Sequence, residues 1–256
     1  MIELFSKERM ILNEFFIPRE EVCVWSCLEG IMGRAWINDK SYPLYGVVAV
    51  ADFLFLLGHA PKDLSKELIN LIGTFGRNQI IVFYSTDWEN VILKEFPDNN
   101  TPFKRYSFYW EPEVFNRTLL EKYTHTEDIP YEIVPFTLEI AELSLQNNFT
   151  ADFCMFYESL DSFIENGIGF CMIHNNEIVT GASSYSTCNG AIDITIGTIK
   201  EYRRKGLALK CAAKLILECL ERGIYPRWDA ANLESVELAK KLGYRFKEEY
   251  QVYTIK

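Results

Sequence analysis

From Tyr123 to Ile199 the 256-residue chain contains neither Lys nor Arg. Over its whole length 26 Lys and Arg face 36 Asp and Glu, a net charge of −10. That balance lacks the cationic surplus required for binding nucleic acid or an anionic membrane, so neither partner is expected. Histidine is scarce: His59, His125 and His174 are the only three. None stands in a Ser or Cys nucleophile context, which removes support for a hydrolytic triad. The seven Cys are odd in number and show no tight spacing. A disulfide scaffold is therefore not expected, whereas a reducing, cytoplasmic location is. Cys23-x-x-x-Cys27 and Cys171-x-x-His174 are loose metal-like spacings. Strand alternation puts Cys171 and His174 on opposite faces and no tetrahedral set can be assembled, so no metal is expected. Walker and dinucleotide glycine patterns are missing. The apolar run from Tyr45 to Leu57 is interrupted by Asp52 and is shorter than the roughly 20 residues a membrane span needs. Met1 to Met10 mixes Glu3, Lys7, Glu8 and Arg9 into its apolar residues, which does not suit a signal peptide.

What is present is the composition of an ordinary globule, 48% apolar and 24% charged, on a chain long enough for one large domain or two small ones. The first half reads as mixed α and β. Helical spacing runs through Ser6 to Phe16 and again through Leu64, Leu68, Leu71 and Ile72 to a stop at Gly73. Val47, Val48 and Val50, then Phe53 to Leu57, predict buried strands joined near Asp52. Gln79 to Tyr84 predicts a strand, and Thr86 with Glu89 predicts a capping box opening a helix through Phe96. Pro97 to Pro102 is rich in turn residues, and no catalytic constellation stands in this half.

A polar run, Thr124 to Pro130, marks a boundary, giving an N-terminal domain over 1–128 and a second over 129–256. In the second, Tyr131 to Phe136 predicts a strand, and Leu138 to Ile164 a helical region broken around Asn147 to Thr150. Strands follow at Gly169 to His174, Ile178 to Tyr185 and Ala191 to Thr198, with turns at Asn175-Asn176 and Asn189-Gly190. A helix from Gly206 to Arg222, a strand at Arg227 to Ala230, a helix over Leu233 to Leu242 closed by Gly243, and a strand at Tyr250 to Ile255 complete an α+β order βααβββαβαβ.

The chemistry concentrates where Ile192 to Thr198 turns through Ile199 to Tyr202 into Arg203-Arg-Lys-Gly-Leu-Ala208. The first turn of a helix carries unpaired amides and the positive end of the dipole. Gly206 and Ala208 are small enough for an anion to approach that backbone, and Arg203, Arg204 and Lys205 add positive charge there. Cations at a helix N-terminus oppose the dipole and carry a mild cost without an anion, so the turn reads as a pyrophosphate cradle.

Arg203-x-x-Gly206-x-Ala208, followed by Trp228-Asp-Ala-Ala-Asn232-x-x-Ser235-x-x-Leu238-Ala-x-Lys-Leu-Gly243-Tyr244, resembles the GNAT superfamily of CoA-dependent N-acetyltransferases. The closest likeness is to a bacterial subgroup called GNAT acetyltransferases, which carries an extra N-terminal domain. The resemblance covers about half the chain, and residues 1–128 are compatible with a degenerate copy of the same fold. It implies acetyl-CoA as co-substrate. Amides from Arg203 through Arg204, Lys205, Gly206 and Leu207 to Ala208 would hold the pyrophosphate, and Asn232 and Ser235 would meet the cofactor from the other wall. It also implies a splayed fourth core strand whose amides at Ile196, Thr198 and Ile199 face the pantetheine and the thioester carbonyl. Asp193 stands where many members place a carboxylate toward the acceptor, suited to accept an amine proton through water. Members that use a Tyr as general acid carry it one turn before the terminal Gly-aromatic pair; here that position is Ala239, and Tyr244 is the nearest candidate.

Charge divides along the chain as well. Residues 123–199 hold 11 Asp and Glu without a cation, whereas 200–256 hold 13 Lys and Arg against 8 acids. The acidic stretch suits attraction of a cationic small-molecule or peptide amine. The expected activity is acetyl transfer to a primary amine. The alternative is an acyl-CoA-binding sensor that does not turn over, which Ala239 keeps open, and a homo-oligomer is compatible with either.

Overall fold

In a computed structural model, which describes residues 1–74, 79–97, 100–127 and 129–255, the chain groups into two units, Met1–Arg105 with Glu249–Lys256, and Tyr106–Glu248. The boundary expected at 128/129 rests on the polar run Thr124 to Pro130; Asp128, at that boundary, and residues 98 and 99 of the expected turn lie outside the described residues.

In the first unit β1 (Ile2–Leu4) leads through a 3₁₀ helix over Ser6–Phe15 to α1 (Val22–Leu28). Then β2 (Arg34–Ile37), β3 (Tyr45–Val50) and β4 (Phe53–Gly58) form antiparallel pairs. The β3–β4 turn is Ala51-Asp52, with Ala51 left-handed at φ 52°. Helix α2 (Lys66–Thr74) crosses to β5 (Ile80–Phe83), which runs parallel to β4 from Phe53↔Ile80 to Leu56↔Phe83. Helix α3 (Thr86–Glu95) and β6 (Asn100–Phe108) follow. The capping box expected at Thr86 is not formed: Ser85 is the N-cap and makes no side-chain cap bond. Glu89 instead accepts a hydrogen bond from the Tyr253 hydroxyl at 2.5 Å. The core is built from Trp36, Val47, Leu54, Leu56, Leu68 and Trp88.

The second unit carries α4 (Arg117–Thr124), β7 (Ile133–Pro135), and α5 (Leu138–Ser144), α6 (Asn148–Ala151) and α7 (Leu160–Asn166). The helical region expected over 138–164, with a break around Asn147 to Thr150, is three helices, because a second break falls at Ser159. The side chains of Thr137, Asn147 and Ser159 each accept from an amide two or three residues ahead. The meander β8 (Gly169–His174), β9 (Glu177–Cys188) and β10 (Ala191–Thr198) follows. Its first turn places Asn175 and Asn176 at φ 50° and 62°, the backbone a two-residue hairpin demands. Helix α8 (Leu207–Glu221) buries Leu207, Cys211, Ala212, Leu215, Ile216 and Cys219. The strand expected at 227–230 is split at Trp228 into β11 (Tyr225–Arg227) and β12 (Asp229–Ala230). Helix α9 (Leu233–Leu242) and β13 (Phe246–Ile255) end the chain, the strand beginning four residues earlier than expected.

The second unit's sheet is ordered β11-β10-β9-β8-β7, and β12 pairs with Tyr106 and Ser107 of β6. The same element order therefore runs twice along the chain, over 2–108 and over 133–255, each time with a parallel crossover after three antiparallel strands. Among the described residues no helix is long and apolar enough to cross a membrane.

Candidate functional site

Strand β10 is paired along one side with β9, from Ala191↔Cys188 to Thr198↔Thr180. On its other side it meets β11 only at Ala191, Ile192 and Asp193. Strand β11 ends there because Trp228 turns inward: it is 3% exposed and its indole N–H donates to Ser235 Oγ at 3.0 Å. Asp229 and Ala230 then pair with β6 instead. The two parallel strands form a fork, and along 194–198 no strand is paired to the β11-facing edge of β10 among the described residues. Backbone donors without a ladder partner are strong hydrogen-bonding groups awaiting an acceptor.

That edge runs directly into the basic turn. Ile199 N–H donates to Val179 O at 3.0 Å, so the amide expected to face the pantetheine is spent on β9 instead, and Arg203 Nε donates to Thr198 O at 3.0 Å, tying the turn to the strand end. Arg204 and Gly206 are left-handed at φ 61° and 74°. Gly206 is the N-cap of α8, which has no side-chain cap. A Cβ added at Gly206 would meet nothing within 4 Å, so the approach to the helix start is open. Arg203, Arg204, Lys205 and Gly206 are exposed, Leu207 is buried and Ala208 half-buried. An open, uncapped helix start ringed by three cations fits a pyrophosphate. The equivalent helix of the first unit differs: Ser65 Oγ accepts from Leu68 N–H at 3.2 Å and closes the start of α2.

At the vertex of the fork Asp193 and Arg227 are opposite one another, the last pair of the β10–β11 ladder. Arg227 Nη1 donates to Asp193 Oδ1 at 2.7 Å, and Ser186 Oγ donates to Oδ2 at 3.0 Å. Asp229 lies 3.7 Å from Arg227 Nη2, so two carboxylates share one guanidinium. Asp193 is 6% exposed. The β9–β10 register shifts between Asp193 and Ile194, and at Gly197 the Phe149 ring occupies the space a side chain would need, 2.7 Å from a built Cβ.

Tyr244 is placed differently. It is 4% exposed among Phe108, Phe115 and Trp228, and its hydroxyl donates to Pro226 O at 2.5 Å. Burial pushes its phenol well above the ordinary tyrosine value, with Tyr225 and Cys219 adding to the shift. Ala239 is fully buried, and its carbonyl accepts from Tyr244 N–H at 3.1 Å. Asn232 is the N-cap of α9, its Oδ1 accepting from Ser235 N–H at 2.9 Å. The structure thus brings Ile196, Thr198, Ile199 and Arg203–Ala208 into one strand–turn–helix segment and sets Asp193 at its base, while Tyr244 is a core residue. Sequence reasoning passed over Arg227 and Ser186. The one available signal was that Arg227 and Asp229 alternate onto one face of a short strand.

Cys171 is fully buried, whereas His174 is half-buried against the Tyr131 ring. Among the described residues no group of three or more His, Cys, Asp and Glu side chains gathers in a metal-binding arrangement.

Comparison with known proteins bears on this geometry. A family model described as GNAT acetyltransferase matches residues 13–253. The chain is 26% identical over 260 residues to an uncharacterized N-acetyltransferase of Bacillus subtilis, YdfB, covering 97% of this chain and 95% of that protein. Among solved structures, a GCN5-related N-acetyltransferase-like protein from Streptococcus suis is 31% identical, with a TM-score of 0.87, covering 98% of this chain and 99% of its own. A tandem GNAT protein from the clavulanic acid biosynthesis pathway shares the fold at 11% identity and a TM-score of 0.53, over 99% of this chain and 97% of its own. That likeness spans both repeats of the element order, in keeping with an N-terminal repeat that is a degenerate copy of the fold. The chain belongs to the GNAT acetyltransferase family.

Proposed function

We propose that residues 129–256 transfer acetyl from acetyl-CoA to the primary amine of a cationic acceptor by direct attack in a ternary complex, and that residues 1–128 are a companion copy without a phosphate site. The observation that carries this reading is the continuity of the unpaired β10 edge with the open start of α8. Edge amides of Ile196 and Thr198 face the carbonyl as it gains charge, and the Arg203–Ala208 turn holds the pyrophosphate. Asn232 and Ser235 border the cofactor at the start of α9. The thioester supplies an activated acyl group and a thiolate leaving group with a pKa of about 8.5, so departure does not require an acid.

The amine, with a pKa near ~10, must lose a proton before it attacks. Asp193 takes that proton through water, its carboxylate fixed in place by Arg227 and Ser186. The acceptor is cationic because the helical segments following β7 are acidic. Of the 11 acids between 123 and 199, Asp193 is buried, Asp128 lies outside the described residues, and the remainder are exposed.

An amine panel with a thiol-release readout, run beside calorimetry of acetyl-CoA binding, tests the proposal. The expected outcome is CoA release with at least one cationic amine, and a kcat lowered by about a hundredfold in Asp193→Asn with the KM for acetyl-CoA retained. Binding of acetyl-CoA without release across the panel would instead favour a sensing module. Absence of binding would overturn both.

A further inference from the structure

Residues 106–115 precede the 128/129 boundary, yet Tyr106–Glu248 group as one unit. Tyr106 and Ser107 of β6 pair with Ala230 and Asp229 of β12. The residues that follow clasp β11. The Trp110 ring stacks on that of Tyr225, with centroids 4.1 Å apart and planes at 24°. The Tyr225 hydroxyl donates to Tyr109 O at 3.1 Å and accepts from Glu111 N–H at 3.2 Å. Arg245, just before β13, closes the clasp: its Nε donates to Glu111 Oε2 at 3.0 Å, and its carbonyl accepts from Tyr109 N–H at 3.0 Å.

What the clasp decides is where Asp229 and Ala230 go. The β10–β11 ladder runs in register from Ala191↔Tyr225 to Asp193↔Arg227. Continued in that register, Asp229 would stand opposite Thr195 and Ala230 opposite Ile196, and the open edge of β10 would be sealed. Pairing with β6 offers these two residues backbone hydrogen bonds of the same kind, so hydrogen bonding alone favours neither partner. The choice falls to the strand that is held in place, and Trp110, Tyr225 and Arg245 hold β6. We propose that residues 106–115 are a strap by which the first half of the chain keeps the fork of the second half open. The first half thus has a task although it lacks a phosphate site: it lends the strand that draws β12 off the β10 edge. The proposal rests on the fork being the donor site. Tyr106, Trp110 and Tyr225 are positioning residues, acting on the Ile196 amide through β12.

Amide-resolved hydrogen exchange and calorimetry on the full chain, with acetyl-CoA and ADP as probes, test the strap. ADP carries a pyrophosphate without pantetheine, so it reports on the turn and not on the fork. Alternation from Tyr109, whose N–H faces Arg245 O, turns the Tyr106 N–H toward β12, and Tyr106→Pro removes it. That variant is expected to slow exchange of the Ile196 amide by about tenfold, to weaken acetyl-CoA by about tenfold, and to leave ADP unchanged. Trp110→Leu keeps the backbone and loses the stack; it is expected to move both readouts in the same direction, and Trp110→Phe to restore them. Loss of stability alone only speeds exchange, so slower exchange at Ile196 marks a sealed edge. Unchanged or faster Ile196 exchange in both Tyr106→Pro and Trp110→Leu, or equal losses for acetyl-CoA and ADP, would overturn the strap while leaving the fork and the turn in place. Failure of the unsubstituted chain to bind acetyl-CoA would overturn the fork as the donor site, and the strap with it.

Discussion

A tyrosine can serve a thioester-cleaving site only if its hydroxyl reaches the leaving sulfur, and Tyr244 shows how packing decides this. Its O–H is spent on the Pro226 carbonyl and its ring on Phe108, Phe115 and Trp228. The preference for a neutral phenol follows from desolvation, as for any buried tyrosine, and does not by itself mark an acid catalyst. Tyr244→Phe removes one buried hydrogen bond and should lower the unfolding free energy by about 1 kcal/mol, read by denaturant titration. Its kcat should stay within about twofold of the unsubstituted chain, because general acid catalysis is worth about a hundredfold or more and none is lost here. A kcat reduced to that extent would return the acid role to Tyr244.

At the scale of elements, two helices that start after equivalent parallel crossovers differ in one residue's chemistry. Ser65 offers its hydroxyl to an amide of α2, whereas Gly206 offers α8 no side chain. One acetyl-CoA is therefore expected per chain in calorimetry, and Gly206→Asp should remove it, by placing a carboxylate where phosphate is expected and a side chain at φ 74°. The left-handed backbone costs that variant about 1 kcal/mol of stability, too little to unfold the domain, so circular dichroism should stay native-like. A stoichiometry of two, or full binding by the variant, would contradict the assignment. The strand–turn–helix segment was legible in the sequence because local rules write it: alternation in β10, glycine at a left-handed cap, an apolar stripe along α8. The fork was not legible from the residues themselves. It depends on Trp228 turning inward to Ser235 and on Asp229 and Ala230 pairing with β6, the latter a contact more than 100 residues apart that no local pattern records. The Asp193–Arg227 pair was hidden for the same reason, since two strands joined by a whole helix had to be brought into register first. The break expected around Asn147 to Thr150 falls at the Asn147 cap, whereas the second break, at the Ser159 cap, has an equally local signal that the expectation did not include.

For the whole molecule, the net charge of −10 conceals a dipole along the sequence, acids in 123–199 and cations in 200–256. The described acids of the first stretch other than Asp193 are at the surface, which makes the field they produce open to screening by salt. The cradle cations are exposed too, so acetyl-CoA binding will also weaken with salt, and the two effects must be separated. Measuring kcat/KM for the acceptor at saturating acetyl-CoA does this, because donor binding then no longer limits the rate. With a diamine as acceptor, kcat/KM should fall severalfold between about 0.02 and 0.3 M NaCl, as the Debye length contracts from about 20 to about 5 Å. With an amino acid of equal length, whose carboxylate cancels the ammonium, the dependence should nearly vanish. Equal salt slopes for the two acceptors would mean that the acidic stretch does not steer the substrate and serves only the chain's own solvation.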